Sequence, residues 1–250
     1  MFTAASSYLG YAMSEALAEY GANMALTSRN AAKATNQAKA FQAQYSGSFI
    51  GVSLDISDPE SVNTAVATTI KHFGVIDVLV NNANFSTVEM LHEVSREQWG
   101  HGLDGSINGV FNVISATLPH MLSSGSGNII NIASMYGMVP PDYQVYEGTG
   151  VPCNPPNYGV GKAGIIQLTK YIACYYAKDG LRANAISPGP FPSAKTQENI
   201  EFIHNLEKKA PIKRIGLPED LKGIIVLLAS DASRYINGQN IAVDGGWTSW

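Results

Sequence analysis

The 250-residue chain is 45% apolar and 14% charged, a balance that supports a large buried core and argues against disorder. Its net charge of −4, with no Lys/Arg cluster, argues against a nucleic-acid surface, and no apolar run approaches the ~18 residues of a spanning helix. Two cysteines, Cys153 and Cys174, cannot make a disulfide framework; the start also lacks a basic region followed by an apolar stretch, so a reduced, cytoplasmic setting is expected.

The predicted elements alternate. "GYAMSEALAEYG" reads as a helix closed by Gly21, and "NMALTS" (23–28) as a short buried strand. "NAAKATNQAKAFQAQY" is helical and "SFIGVSLD" (48–55) is a strand. "SDPESVNTAVATTIKHFG" opens on Asp58 as N-cap with Pro59 at the first helical position, and Gly74 ends it. "IDVLVNN" (76–82) is a β-branched strand, and a long helical stretch follows from about Arg96 to Met121. "GNIINIAS" (127–134) is the next strand, then a helix from about Pro156 to Lys178, then "LRANAIS" (181–187). A last helix begins near Pro218, and "QNIAVDGG" is the final strand.

Such alternation, with continuously apolar strands, predicts one α/β domain over 1–250: a doubly wound parallel sheet covered by helices on both faces. Ligands in these sheets sit at the carboxyl ends of the strands. Two Pro/Gly-rich segments lie there and break the rhythm. Residues 138–156 and the stretch from 188 to about 210 are expected to be substrate loops or a lid.

The strongest cluster of reactive side chains is also at strand ends. Tyr158 and Lys162 are four apart on a predicted helix and share a face. An ammonium near a phenol favours the phenolate, so Tyr158 is expected to exchange a proton near neutral pH. Ser134 ends a strand, where its hydroxyl could hold the same substrate oxygen. A Tyr-x-x-x-Lys pair alone is weak; a strand-end serine, this pair and then "ISPGP", in that order, is much rarer.

Taken with "NNAN" at 81–84, "NIAS" at 131–134, "YGVGK" at 158–162, "SPG" at 187–189 and "VDGG" at 243–246, the chain resembles the short-chain dehydrogenase/reductases over nearly its whole length. The longer gap between Ser134 and Tyr158 is similar to a sugar-acid or polyol dehydrogenase subgroup of the gluconate 5-dehydrogenase type. The resemblance implies a Rossmann-type fold and hydride transfer between a nicotinamide cofactor and a carbonyl or secondary alcohol. Tyr158 would be the acid/base, Lys162 its helper and the holder of the nicotinamide ribose, and Ser134 the orienting hydroxyl. Ser106 stands where the family's catalytic asparagine is usual. The phosphate turn would be Thr3, Ser6, Ser7, Tyr8, Leu9 and Gly10. Asp55 and Ile56 would meet adenine, Asn82, Ala83 and Asn84 would line the groove, and Pro188 and Gly189 the nicotinamide pocket. Tyr146, Glu147 and Phe191 are candidate substrate contacts. A homotetramer is implied too, with Trp247 and Trp250 either at a neighbour's site or in an interface. No metal is implied.

Cofactor choice is partly readable. "LTSRN" puts Arg29, and no acidic residue, at the end of the 23–28 strand, which corresponds to the family's second strand, and this favours NADP(H) over NAD(H). The departures lie at the start. The family's T-G-x-x-x-G-x-G turn here keeps only its third glycine, Gly10, and only Met1 and Phe2 precede Thr3 where a buried strand of ~5–6 residues is usual. The first strand is therefore expected to be missing or truncated, or the sheet rearranged, and the phosphate grip weakened. A fold relative without nicotinamide chemistry, a 3-oxoacyl or nucleotide-sugar reductase, and a non-enzymatic scaffold are the competing readings.

Overall fold

The structure, a computed structural model, describes residues 1–249; Trp250 lies outside the described residues. Six parallel strands form the sheet. β1 (Met24–Ser28) pairs with β2 (Phe49–Ser53). β3 (Val78–Asn81), β4 (Gly127–Ile132), β5 (Leu181–Pro188) and β6 (Asn240–Val243) pair in that order. β2, β3, β4 and β6 stop short of the predicted carboxyl ends, where the last residues leave the sheet to shape the carboxyl-end loops.

The strands are apolar at consecutive positions because both faces are covered. Leu79 and Ile129 pack under α3 (Pro59–Phe73), α5 (Gly109–Ser124) and α7 (Pro156–Tyr175). Their neighbours Val80 and Ile130 point the other way, to α1 (Tyr8–Glu19), α2 (Ala31–Gln44) and α9 (Lys222–Ala229). The capping reading holds at α3: Asp58 accepts from Glu60 N–H, Pro59 opens the helix, and Gly74 closes it at φ 80°.

The gap between β1 and β3 is where a central strand is expected. The sheet is not rearranged. Phe2 fills one register position, forming parallel bridges to Leu26 on β1 and to Val80 on β3. Phe2 N–H donates to Ala25 O (2.9 Å), and Phe2 O accepts from Thr27 N–H (3.0 Å). On the other side Met1 O accepts from Val80 N–H, Thr3 N–H donates to Val80 O, and the Met1 ammonium donates to Val78 O at 2.8 Å. Three residues thus stitch the sheet at its carboxyl end. Towards the amino ends of the strands the two halves are separated by a cleft of about 440 Å³, walled by Met1, Leu17, Ala22, Phe73, Ile76 and Val78.

Other differences from the sequence reading are local. The long helix is α4 (Arg96–Leu103) and α5, joined through a π-helical turn at Asp104–Asn108. The 138–156 loop contains one helical turn, α6 (Tyr143–Tyr146), capped by Asp142. Only the first part of the 188–210 segment is a loop; Ile200–Lys209 form α8, capped by Asn199. An ion pair between Lys209 and Asp142 ties α8 to the cap of α6. The last helix starts with a 3-10 turn at Pro218–Leu221 before α9. Trp247 is buried against this chain's own Tyr136 and Phe202 cluster rather than projecting outward.

Candidate active site

The loop from Thr3 to Gly10 is held by side chains that the altered turn retains. Thr3 Oγ1 accepts the N–H groups of Asn82 (2.8 Å) and Ala83 (2.9 Å). Asn82 Nδ2 donates to the carbonyls of Thr3 and Ala4 and to Ser7 Oγ. Ser7 Oγ also caps α1 by accepting from Gly10 N–H. Gly10 is needed as glycine: a Cβ there would collide with the Ala4 carbonyl and with Ser7. Ala4 occupies the position of the family's first glycine and adopts its left-handed backbone, φ 49°, despite its Cβ. That conformation costs an L-residue roughly 1–2 kcal/mol. Ala4→Gly is therefore expected to stabilise the chain by about 1 kcal/mol, seen as a raised midpoint in urea unfolding; an unchanged or lower midpoint would mean that the turn is unstrained.

A cavity of about 320 Å³ opens beside this loop, lined by Ser6, Ser7, Arg29, Ile56, Ala83 and Asn84, and also by Ser28, Asn30, Lys33 and Phe85. Arg29 lies over the Phe85 ring, 5.2 Å from its centroid, which holds the guanidinium in place. Asp55 does not face the cavity. Its carboxylate takes the N–H and hydroxyl of Ser57, at 3.0 and 2.6 Å, which holds it below the usual carboxylate range, and its neighbours Leu54 and Ile56 line the wall instead.

A second cavity, about 290 Å³, is lined by Tyr8, Leu9, Asn82, Asn84, Ser134, Tyr158, Lys162, Pro188, Gly189 and Phe191. Strand-end geometry brings them together: Ser134 follows β4, Pro188 ends β5, and Tyr158 and Lys162 lie one turn apart on α7. Tyr8 neither points wholly outward nor seals the groove; its hydroxyl accepts from Gln197 Nε2 in the 188–199 loop at 3.0 Å. Lys162 is buried and donates to Ile132 O at 2.8 Å. Its desolvation lowers its pKa to about 8. The Lys162 ammonium lies 5.6 Å from the Tyr158 ring centroid.

The expectation that lysine lowers the Tyr158 pKa is corrected here. Burial dominates and pushes the phenol up; Ser134 pulls it back and Tyr146 adds to the rise. A lysine that is itself partly discharged by burial is a weak counter-charge.

A third cavity of about 400 Å³ shares Ser134, Tyr158, Gly189 and Phe191 with the second. Tyr146 lines it, together with Tyr136, Asn154, Val151, Phe202 and Leu206. Two predicted residues are not brought to this group. Glu147 is exposed and outside the cavity walls. Ser106 is buried, its hydroxyl donates to Gly102 O at 2.9 Å, and it packs against Gly161 on α7. The π-helical turn aims it at that close helix crossing, not at Tyr158.

A family model described as enoyl-(acyl carrier protein) reductase matches residues 3–248. The chain belongs to the short-chain dehydrogenase/reductase family. It is 33% identical to gluconate 5-dehydrogenase of Gluconobacter oxydans, over 99% of this chain and 93% of that protein. It is also 33% identical to a 3-oxoacyl-[acyl-carrier-protein] reductase of Staphylococcus aureus, over 98% of this chain and 96% of that protein. Among solved structures it resembles a gluconate 5-dehydrogenase from Burkholderia cenocepacia in complex with NADP and tartrate, with TM-score 0.88 and 30% identity over 100% of this chain and 94% of that one. Membership makes the chain an oxidoreductase of a family that binds nicotinamide cofactors.

For a member of this family, sequence reasoning missed several cavity residues. Lys33 stood four positions after Arg29, a helical spacing that could have flagged it. Tyr136, two after Ser134, was equally close in sequence. Asn154, Phe202 and Leu206 carried no signal, because a loop without period and a separate helix deliver them. Among the described residues no group of His, Cys, Asp or Glu could hold a metal ion, and no helix is long and apolar enough to cross a membrane.

Proposed function

We propose that the chain is an NADP(H)-dependent oxidoreductase acting on a carbonyl or secondary alcohol of a polyol, sugar acid or related small molecule. The observation that carries this is the meeting of Ser134, Tyr158 and Lys162 at one cavity, continuous with a groove that ends at Arg29 and Lys33. The residues present fit a dinucleotide. Tyr8 and Leu9 open α1 and line the groove, and their N–H groups have no intrahelical acceptor, as suits a pyrophosphate. Arg29 and Lys33, with Ser28 at the end of β1, suit a 2′-phosphate.

When bound, the cofactor supplies or takes the hydride at the carbonyl carbon. The chain's residues do the rest. Ser134 holds the substrate oxygen, and Tyr158 delivers its phenolic proton to that oxygen as the carbonyl becomes an alcohol. Lys162 holds the nicotinamide ribose and balances the phenolate left behind. A phenol held above its ordinary pKa is protonated at neutral pH, which suits reduction. The exposed Phe111 on α5 and the stacked Tyr171–Tyr175 pair on α7 support an assembly of several copies, proposed as a tetramer.

The test is titration of the chain with NADPH and NADH. NADPH is expected to bind more tightly, and Arg29→Ala with Lys33→Ala is expected to weaken NADPH by about 10–100-fold, as the loss of charge-assisted contacts predicts, while NADH changes by less than about threefold. Equal losses for both would remove the 2′-phosphate assignment. No binding of either dinucleotide by the folded chain would remove the redox reading.

A further inference from the structure

The third cavity carries a pattern that the reductase reading leaves unused. Tyr136 and Tyr146 meet hydroxyl to hydroxyl at 2.7 Å, and Asn154 Nδ2 donates to the Tyr146 hydroxyl at 3.1 Å. All three line the same cavity as Ser134 and Tyr158. The two phenols have two protons, and only one is used between them. Among the described residues no other acceptor meets either hydroxyl, so one O–H donor is left over at the cavity wall. Among the described residues Asn154 Oδ1 accepts no hydrogen bond, and it stands as an acceptor beside the phenols. Burial pushes both phenols above their ordinary pKa, Tyr136 well above it, so they stay neutral.

Apart from Ser134, Tyr158 and Thr196, the remaining walls are apolar, with Phe191, Phe202, Leu206 and Val151 among them, and among the described residues no Arg, Lys, His, Asp or Glu lines the cavity. A carboxylate placed here would lose water, find no cation, and meet the Asn154 oxygen as a like dipole. A hydroxyl, which both donates and accepts, would satisfy the leftover phenol proton and the amide oxygen together.

Resting on the reductase reading, we propose that the Tyr136–Tyr146–Asn154 cluster is a second anchor for substrate, selecting an uncharged hydroxy-ketone or the corresponding diol over a keto acid. The reacting carbonyl sits at Ser134 and Tyr158. A neutral hydroxyl a short spacer away sits at the cluster, and the apolar part of the molecule lies against Phe191 and Phe202.

Four ketones of one skeleton test this with NADPH: 1-hydroxy-3-hexanone, methyl 3-oxohexanoate, 3-hexanone and 3-oxohexanoate. In each productive turnover the carbonyl carbon gains a hydride from NADPH and the oxygen gains the Tyr158 proton, leaving NADP⁺ and an alcohol. The hydroxy-ketone is expected to exceed 3-oxohexanoate in kcat/KM by about 10-fold or more, because the acid's charge would be buried unpaired. It should exceed 3-hexanone by about 10-fold, the scale of one well-placed hydrogen bond, with the methyl ester between them. The double variant Tyr136→Phe with Tyr146→Phe, which removes both phenol donors, should bring the hydroxy-ketone and 3-hexanone to within about twofold, and Asn154→Leu should act in the same direction. Binding of the same compounds to the NADPH-loaded chain, followed by ligand-observed NMR, reads the preference without turnover. Equal or better handling of 3-oxohexanoate, or an unaltered ratio in both variants, would overturn the anchor and leave the reductase reading standing. If none of the four is reduced by a chain that binds NADPH, the reductase reading fails, and the NMR ranking of hydroxy-ketone against acid still decides the anchor.

Discussion

Replacing Tyr158 with Phe is expected to lower kcat for carbonyl reduction by about 10²–10⁴-fold, the range that a positioned proton donor contributes. The phenol is the group on this site's walls that joins a substrate-facing cavity to the Lys162 ammonium, and Ser134 flanks it. Phe keeps the ring that packs on α7 and removes only the proton. The dissociation constant of NADPH should therefore move by less than about threefold while turnover collapses, which separates a chemical role from a folding one. A loss of less than tenfold, with cofactor binding intact, would assign the proton to another group.

The same variant bears on pH dependence. Lys162 has a pKa lowered to about 8, so its ammonium is present below that value and lost as pH rises through it. Reduction by the unaltered chain is expected to fall above about pH 8 as the lysine ceases to balance the forming phenolate. The residual rate of Tyr158→Phe, which forms no phenolate, should show no such fall. A matching fall in the variant would place the titration elsewhere.

How much of this was legible follows from where each signal comes from. Strands β3 and β4 were visible because burial on both faces makes "VLVN" and "GNIINI" apolar at adjacent positions. Ser134, Tyr158 and Lys162 were visible because strand ends and a helical spacing of four fix their meeting within one βα unit. Asp55 is absent from the cavity walls because its carboxylate is taken by Ser57, two residues away in an Asx turn, a competition that a motif does not encode. Ser106 was expected from its motif position alone, which does not encode the π-helical turn at Asp104–Asn108 that packs its hydroxyl against Gly102 O and Gly161. The Tyr136–Tyr146–Asn154 cluster was invisible as a cluster because its members are joined only through an irregular loop. That the first six residues partly fill the gap could be weighed from sequence, but not that Phe2 is the residue that bridges it, because this depends on β1 and β3 both coming within reach of a single residue.

That bridge sets the second large effect. Adding an extended segment such as Val-Ala-Ile-Val in line before Met1 is expected to raise Tm by about 10 °C or more and to flatten the pH dependence of stability between pH 5 and 8. Two causes act separately. The first is charge. The Met1 ammonium is buried, and desolvation lowers its pKa from 8.0 to about 5, with Asp77 opposing only weakly. The folded chain sheds this proton at lower pH than the unfolded chain, which holds it up to 8.0. Stability therefore rises with pH from about 5 to 8 and is lost as pH falls back through that window, by on the order of 4 kcal/mol if the whole shift is expressed. A preceding residue turns the ammonium into an amide N–H that can still donate to Val78 O, and the slope disappears.

The second cause is the cleft. Alternation in a parallel ladder turns the N–H groups of Ala25 and Val78 toward it, beyond the reach of Met1 and Phe2. An added strand supplies carbonyls to both, and an orphaned buried N–H costs about 1–3 kcal/mol. Its side chains would also fill part of the 440 Å³ between Leu17, Phe73 and Ile76, at about 1.5–3 kcal/mol for each aliphatic residue fully buried. At about 2–4 °C per kcal/mol for a chain of this size, these terms reach the stated rise. A Gly-Ser-Gly-Ser extension separates the causes: it removes the ammonium and should flatten the pH slope, but it cannot fill the cleft and should raise Tm far less. If the apolar extension gains nothing over Gly-Ser-Gly-Ser, the cleft does not accept a strand, and Met1–Thr3 alone close the sheet. If the slope survives both extensions, the buried ammonium is not its source.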